Sequence, residues 1–272
     1  MTQAHGKALV TGASSGIGAE YAAQLAARGH DLVLVARDAA RLEALAARLG
    51  GETGVAVEVL PADLTRPADV AAVAARLAAD AALRLLVNCA GLGPMGPVLP
   101  GPASGYDPMV ALNVTALQHL TLAAAPAFAE RGGGTIVNVS SVVALLPERF
   151  NAVYAASKAY VLALTQGLAA ELAPRGVRLQ AVLPGITRTE LFARAGADLD
   201  RIPAAMIMEA RDLVAAALAG LDAGEPVTIP SLPEIDDWAA FEAARLRPGP
   251  NLSRLGGVRG ARPALARARR TR

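Results

Sequence analysis

The chain opens on Lys7-Ala8-Leu9-Val10-Thr11 followed by Gly12-Ala13-Ser14-Ser15-Gly16-Ile17-Gly18, and this stretch decides how the rest is read. Five mostly aliphatic residues are too few for a helix and read as a short buried strand. Beyond the turn, Ile17, Tyr21 and Leu25 recur at helical spacing until Gly29 closes the pattern. A glycine-rich turn between a strand and an amphipathic helix has a specific physical use. Gly12 permits the tight turn, Gly16 lets backbone approach a pyrophosphate, and Gly18 lets the helix pack closely on the sheet. The helix N-terminus then attracts the anion. On its own such a turn is only a turn; its place between strand and helix makes a dinucleotide site the stronger reading. No Gly-Lys-Ser/Thr follows, so it is not a P-loop.

Outward from this unit the same alternation repeats. Strands are expected at 31–36, 55–60, 83–87, 135–139, 177–183 and 226–230. Helices are expected at 39–49 (closed by Gly50-Gly51), from a Thr65 cap to about 79, at 107–130 with a kink near Pro126, and at 151–173, 206–221 and 234–246. Strands nearly continuous in Val, Leu and Ile, alternating with helices, predict an α/β fold: a doubly wound parallel sheet of about seven strands with helices on both faces. Residues 1–247 are expected to form one domain with integral substrate loops, and 248–272 a flexible Arg-rich tail.

Composition narrows the class. Residues 251–272 carry Arg254, Arg259, Arg262, Arg267, Arg269, Arg270 and Arg272 and no acid; removing these seven from 26 basic residues leaves 19 against 24 acidic ones. The body is mildly acidic, and the tail lacks aromatics for stacking bases, so no nucleic-acid partner is expected. Hydrophobic residues make up 53%, much of it alanine, without an uninterrupted apolar run of about 18 residues, so no membrane span is expected. The N-terminus lacks the regions of a signal peptide, and one cysteine, Cys89, cannot form an internal disulfide. A cytoplasmic protein is expected. His5, His30 and His119 have no metal-ligand spacing, so no metal is expected.

Chemistry is concentrated in Tyr154-Ala155-Ala156-Ser157-Lys158. Positions four apart share a helix face, and a nearby ammonium stabilises a phenolate. Lys158 is one of only two lysines, with Lys7, in a chain that otherwise uses Arg. Such a pair can serve as a proton donor and acceptor near neutrality.

The glycine spacing with Tyr154-x-x-x-Lys158 downstream resembles the short-chain dehydrogenase/reductase family, in its compact single-domain Rossmann-fold branch. Asn88-Cys89-Ala90-Gly91 resembles its Asn-Asn-Ala-Gly segment, Asn113 its active-site asparagine, Ser141 its serine 13 residues before the tyrosine, and Pro184-Gly185 with Thr189 its Pro-Gly-x-x-x-Thr segment. The resemblance runs from about Lys7 to Leu191. Cys89 departs from the second Asn, and Val227-Thr228-Ile229-Pro230-Ser231 with the following helix departs from the usual closing strand.

The resemblance implies that Tyr154 is the general acid and base, and that Lys158 lowers its pKa and binds the nicotinamide ribose. It implies that Ser141 holds the substrate oxygen and that Asn113 fixes a backbone-bound water. For the cofactor it implies contacts from Gly12, Ser14, Ser15, Gly16, Ile17, Gly18, Asp63, Leu64, Asn88, Ala90, Gly91, Tyr154, Lys158, Pro184, Gly185, Ile186 and Thr189. Strand two ends Ala36-Arg37, with no carboxylate to repel a 2′-phosphate and a guanidinium to bind one, which predicts NADP(H). A solvated Arg37, and an Asp63 that merely caps its turn, are the plainer alternatives. Loops at 92–100, 142–150 and 187–206 are rich in Leu, Val, Met, Ala and Pro, which predicts an apolar carbonyl or secondary alcohol substrate. The competing functions are a non-catalytic NADP(H)-binding regulator, which would show a broken tetrad, and an extended-branch dehydratase or epimerase, which would show other glycine spacing. In relatives the helices around Asn113 and Tyr154 pack subunit to subunit, implying a homodimer or homotetramer.

Overall fold

The structure is a computed structural model that describes residues 6–93, 98, 102–191 and 199–253. Residues through Ser231 form one compact unit and those from Leu232 a second. In the first, β1 (Lys7–Thr11), α1 (Gly16–Ala27), β2 (Leu32–Ala36), α2 (Ala39–Thr53), β3 (Val57–Pro61), α3 (Pro67–Ala79) and β4 (Leu83–Asn88) follow in strict alternation. Then come α4 (Asp107–Val110), α5 (Leu117–Glu130), β5 (Gly134–Val139), α6 (Ala152–Leu172), β6 (Val177–Val182), β7 (Thr187–Arg188), β8 (Met208–Glu209), α7 (Ala210–Asp222) and β9 (Val227–Thr228).

Seven strands form one parallel sheet in the order β3-β2-β1-β4-β5-β6-β9. Side chains alternate across it. Ala8 and Val10 join Tyr21, Leu25, Leu42, Leu213 and Leu218 beneath α1, α2 and α7. Leu9 joins Val73, Leu77, Leu120 and Phe128 beneath α3 and α5. Burial on both faces explains why the strands read as unbroken aliphatic runs.

Local signals decide where helices stop. α2 runs through Gly50 and Gly51 and ends at Gly54, whose φ of +75° supplies the left-handed cap. Thr65 does not cap α3; Arg66 does, with Pro67 as first helical residue, because Thr65 turns back to Asp63. The 107–130 stretch is helical throughout, with Pro126 inside α5 and a π-helical segment at Ala111–Ala116 between α4 and α5. α7 starts at Ala210, later than the periodicity suggests, because Met208–Glu209 pairs with Thr187–Arg188 in a second, two-stranded sheet.

The second unit contains α8 (Ile235–Leu246), with the Trp238 and Phe241 rings stacked at 5.4 Å, and a 3₁₀ turn at Gly249–Asn251. The seven tail arginines lie outside the described residues. Among the described residues no helix is long and apolar enough to cross a membrane.

Candidate active site

The sheet order reverses between β1 and β4, since β1 leads through α1 to one side and β4 to β5 on the other. Such a reversal opens a crevice at the strands' carboxyl ends. The glycine turn borders it. At Gly12, φ is +69° and a Cβ would stand 2.9 Å from the backbone of Ala90; at Gly18 a Cβ would stand 2.3 Å from the Gly12 carbonyl oxygen. No side chain fits at either position. Thr11 Oγ1 accepts from the N–H groups of Cys89 (3.0 Å) and Ala90 (3.1 Å), binding the ends of β1 and β4 together. Ser15 is the extended N-cap of α1 and makes no side-chain capping bond, which leaves the first N–H groups to an incoming anion. Ser14, Gly16 and Ile17 are half-buried around it.

Arg37 follows β2, is exposed, and has no hydrogen-bond or ion-pair partner among the described residues. Asp63 Oδ1 accepts from Thr65 N–H and Oγ1; those two bonds, ahead of the charges of Arg37 and Arg66, hold its carboxyl below the usual range. Its local capping role is thus real. Leu64 is buried and lines a small cavity with Thr11, Asn88 and Ala90. The Asn88 side chain turns inward: Nδ2 donates to Thr121 Oγ1 (3.1 Å) and Asn138 Oδ1 (3.0 Å), and Asn138 Nδ2 donates to Thr165 Oγ1. Asn88 therefore ties β4 to β5, α5 and α6.

The four residues expected to do chemistry are all buried. Ser141 lies two residues past β5 and caps the 3₁₀ turn that follows, its Oγ accepting from Val143 N–H and donating to the Pro184 carbonyl at 3.4 Å. Tyr154 and Lys158 lie on α6, capped by Asn151, whose Oδ1 accepts from Tyr154 N–H at 3.0 Å. Lys158 Nζ stands 5.9 Å from the Tyr154 ring centroid and donates to the Val139 carbonyl at 3.0 Å. A Cβ on Gly91 would come within 3.6 Å of Lys158 Nζ and 3.3 Å of Asn113 Oδ1, so glycine leaves room beside both. Asn113 sits in the π segment. Its Oδ1 accepts from Leu92 N–H (2.8 Å) while Nδ2 donates to Leu92 O (2.9 Å) and Ser157 Oγ (3.3 Å). The amide acts on the protein itself, pinning the 91–93 strip against α6. Pro184, Gly185 and Ile186 follow β6, and Thr189 Cγ2 would be 3.2 Å from a Cβ on Gly16, closing the crevice from above.

Burial dominates the electrostatics of Tyr154 and Lys158. Among the polypeptide's own groups, burial pushes the Tyr154 phenol up to about 12, with the Ser141 hydrogen bond pulling it down less strongly. Burial lowers Lys158 to about 8, with Cys89 opposing. In the polypeptide alone the Lys158 ammonium, costly to keep charged when buried, gives its bond to the Val139 carbonyl. Among the described residues no group of three or more His, Cys, Asp or Glu could hold a metal.

The sequence reading passed over Thr11, Leu92, Val139 and Asn138. Asn138 and Thr11 were findable as polar residues inside aliphatic strands; Leu92 and Val139 act through backbone atoms, which carry no residue-type signal.

A family model for short chain dehydrogenase matches residues 6–200. The chain belongs to the short-chain dehydrogenase family. Similar solved structures include a short-chain dehydrogenase from Sphingobium yanoikuyae in complex with NADPH, 50% identical with a TM-score of 0.89, covering 92% of this chain and 98% of that one. A bulky-bulky ketone specific alcohol dehydrogenase from Comamonas testosteroni is 43% identical with a TM-score of 0.86, covering 93% and 97%. Galactitol 2-dehydrogenase (L-tagatose-forming) from Cereibacter sphaeroides is 37% identical over 220 residues, 78% of this chain and 85% of that protein. As a member of the short-chain dehydrogenase family the protein is an oxidoreductase that uses a nicotinamide cofactor. The uncapped α1 N-terminus and the side-chain-free Gly12 fit the pyrophosphate of a nicotinamide dinucleotide.

Proposed function

We propose that the protein is an NADP(H)-dependent oxidoreductase that moves a hydride between nicotinamide and the carbonyl or carbinol carbon of a fairly apolar ketone or secondary alcohol. The observation that carries this reading is the burial of Ser141, Tyr154 and Lys158 together at the edge of the glycine turn, reached through Gly91 and Ala90. NADPH supplies the hydride. Tyr154 Oη gives a proton to the developing alkoxide, and takes it back in the reverse direction. The Ser141 hydroxyl holds that oxygen and stabilises its charge. Lys158 fixes the ribose and compensates charge as the phenol ionises. Asn113 holds the Leu92 strip in place below them.

Arg37 supports NADP over NAD, as does the NADPH complex of the Sphingobium relative. The packing around Tyr154 supports an apolar substrate: Met109, Val143, Leu92 and Tyr106 surround it. Met109, Val143 and Leu92 offer nothing to the hydroxyls of a polyol, and the Comamonas relative is specific for bulky ketones. The small, apolar outer face of α6 supports a homodimer or homotetramer.

The test is consumption of NADPH and NADH with bulky aryl ketones by the wild type and Tyr154→Phe. The variant should lose about 10²- to 10⁴-fold in turnover with NADPH binding retained. Near-normal turnover without the hydroxyl would overturn the mechanism.

A further inference from the structure

Resting on the NADP reading of Arg37, we infer that Arg41 is a second ligand for the 2′-phosphate, held by Glu190 until the phosphate draws it away. Arg41 lies in the first turn of α2, four residues after Arg37. Its Nη1 donates to both carboxylate oxygens of Glu190 at 2.9 Å, and its Nε stands 3.4 Å from Asp38 Oδ2. Glu190 is 149 residues away in sequence, immediately after Thr189, which rests on Gly16 of the glycine turn. The ion pair therefore straps the start of α2 to the segment that follows β7, across the mouth of the crevice.

Charge explains why the pair should exchange. A 2′-phosphate at the end of β2 is a dianion, yet Arg37 stands next to Asp38, the α2 N-cap, and its charge is also felt by Asp63. One guanidinium beside a carboxylate offers no net positive charge. Arg41 supplies it, but only once it is released from Glu190. Both partners are half-exposed, with side-chain exposures of 48% each, so water lowers the cost of parting them. Phosphate offers the guanidinium more charge and a bidentate contact through two nitrogens, where Glu190 engages only Nη1. NADH has no 2′-phosphate and leaves Arg41 on Glu190. The 2′-phosphate thereby cuts a strap between two walls of the crevice, a coupling that no single arginine provides.

Calorimetric titration with 2′-AMP, with adenosine as the control, tests this on wild type, Arg41→Ala, Glu190→Gln, the double variant and Arg37→Asp. Arg41→Ala should weaken 2′-AMP about tenfold and leave adenosine unchanged. Glu190→Gln should tighten 2′-AMP about threefold, because Arg41 no longer has to leave a carboxylate. The double variant should match Arg41→Ala, since without Arg41 the Glu190 change has nothing to release. Unchanged 2′-AMP binding in Arg41→Ala alongside a loss in Arg37→Asp would overturn the inference and keep the NADP reading. Weaker binding in Glu190→Gln would also overturn it. If Arg37→Asp too leaves 2′-AMP no different from wild type, the NADP reading itself falls.

Discussion

Tyr154 and Lys158 bear the cost of burial in opposite pH windows. Lys158 has its folded pKa lowered to about 8. Below pH 8 both folded and unfolded chains carry the proton, and the full penalty of a buried ammonium weighs on folding. Between pH 8 and about 10.5 the folded chain sheds its proton while the unfolded chain keeps it, so stability rises with pH. Tyr154, raised to about 12, does the reverse: above pH 10 the unfolded chain ionises first and stability falls. Urea unfolding of wild type and Lys158→Met from pH 7 to 10.5 reads the lysine contribution. The variant should gain most below pH 8, on the order of 3 kcal/mol before repacking losses, with the difference shrinking as pH rises. A difference independent of pH would mean that burial does not lower the Lys158 pKa. Arg41 shows another residue-scale limit: Glu190, its partner, is distant in sequence, and neither residue type marks the pair in advance.

α6 is the element that presents both reacting side chains, and its N-terminus is set by one amide. Asn151 Oδ1 caps the helix on the N–H of Tyr154 itself, and Asn151 Nδ2 reaches Tyr106 Oη at 3.2 Å. Asn151→Ala should cost about 1 kcal/mol in urea unfolding, and Asn151→Asp, which keeps the acceptor and favours the helix dipole, should recover most of it. Equal losses in both would assign the effect to Tyr106 instead. The strands of the main sheet were legible as unbroken aliphatic runs, and the helices between them by their periodicity. The exceptions have physical causes. Gly50 and Gly51 read as a stop, yet the chain stays helical through both and turns left-handed only at Gly54. Pro126 reads as a kink, yet it lies inside α5, and the π segment falls around Asn113, where the amide's bonds to Leu92 hold the widened turn. The members of the catalytic set were legible as spacings. What the spacing withheld was the environment: the burial that raises Tyr154, and the backbone partners of Lys158 and Asn113.

At the scale of the whole molecule, the outer face of α6 bears on assembly. Ala156, Tyr160, Ala163, Gly167 and Ala170 recur at helical spacing and are all exposed, opposite the face that carries Tyr154 and Lys158. In its 21 residues α6 has two charged side chains, Lys158 and Glu171. A helix that is apolar on every side is normally covered on every side. Small residues on this stripe would let another backbone approach closely; at Gly167 an added Cβ would meet nothing within 4 Å of this chain. Alongside it, Tyr160 Oη donates to Gln118 on α5, and Leu122, one turn further, is 46% exposed. The proposed second copy of the same chain would satisfy both helices at once, since a two-fold axis would set α6 on α6 and α5 on α5. Light scattering on the purified wild type should then give a multiple of 27.6 kDa. Ala163→Glu puts a charge in the middle of the stripe, where it would be desolvated unpaired, and should shift the mass toward one chain without unfolding the exposed helix. A wild type that is already monomeric, or an Ala163→Glu variant that keeps the full assembly, would place the contact elsewhere and leave α6 a solvated face.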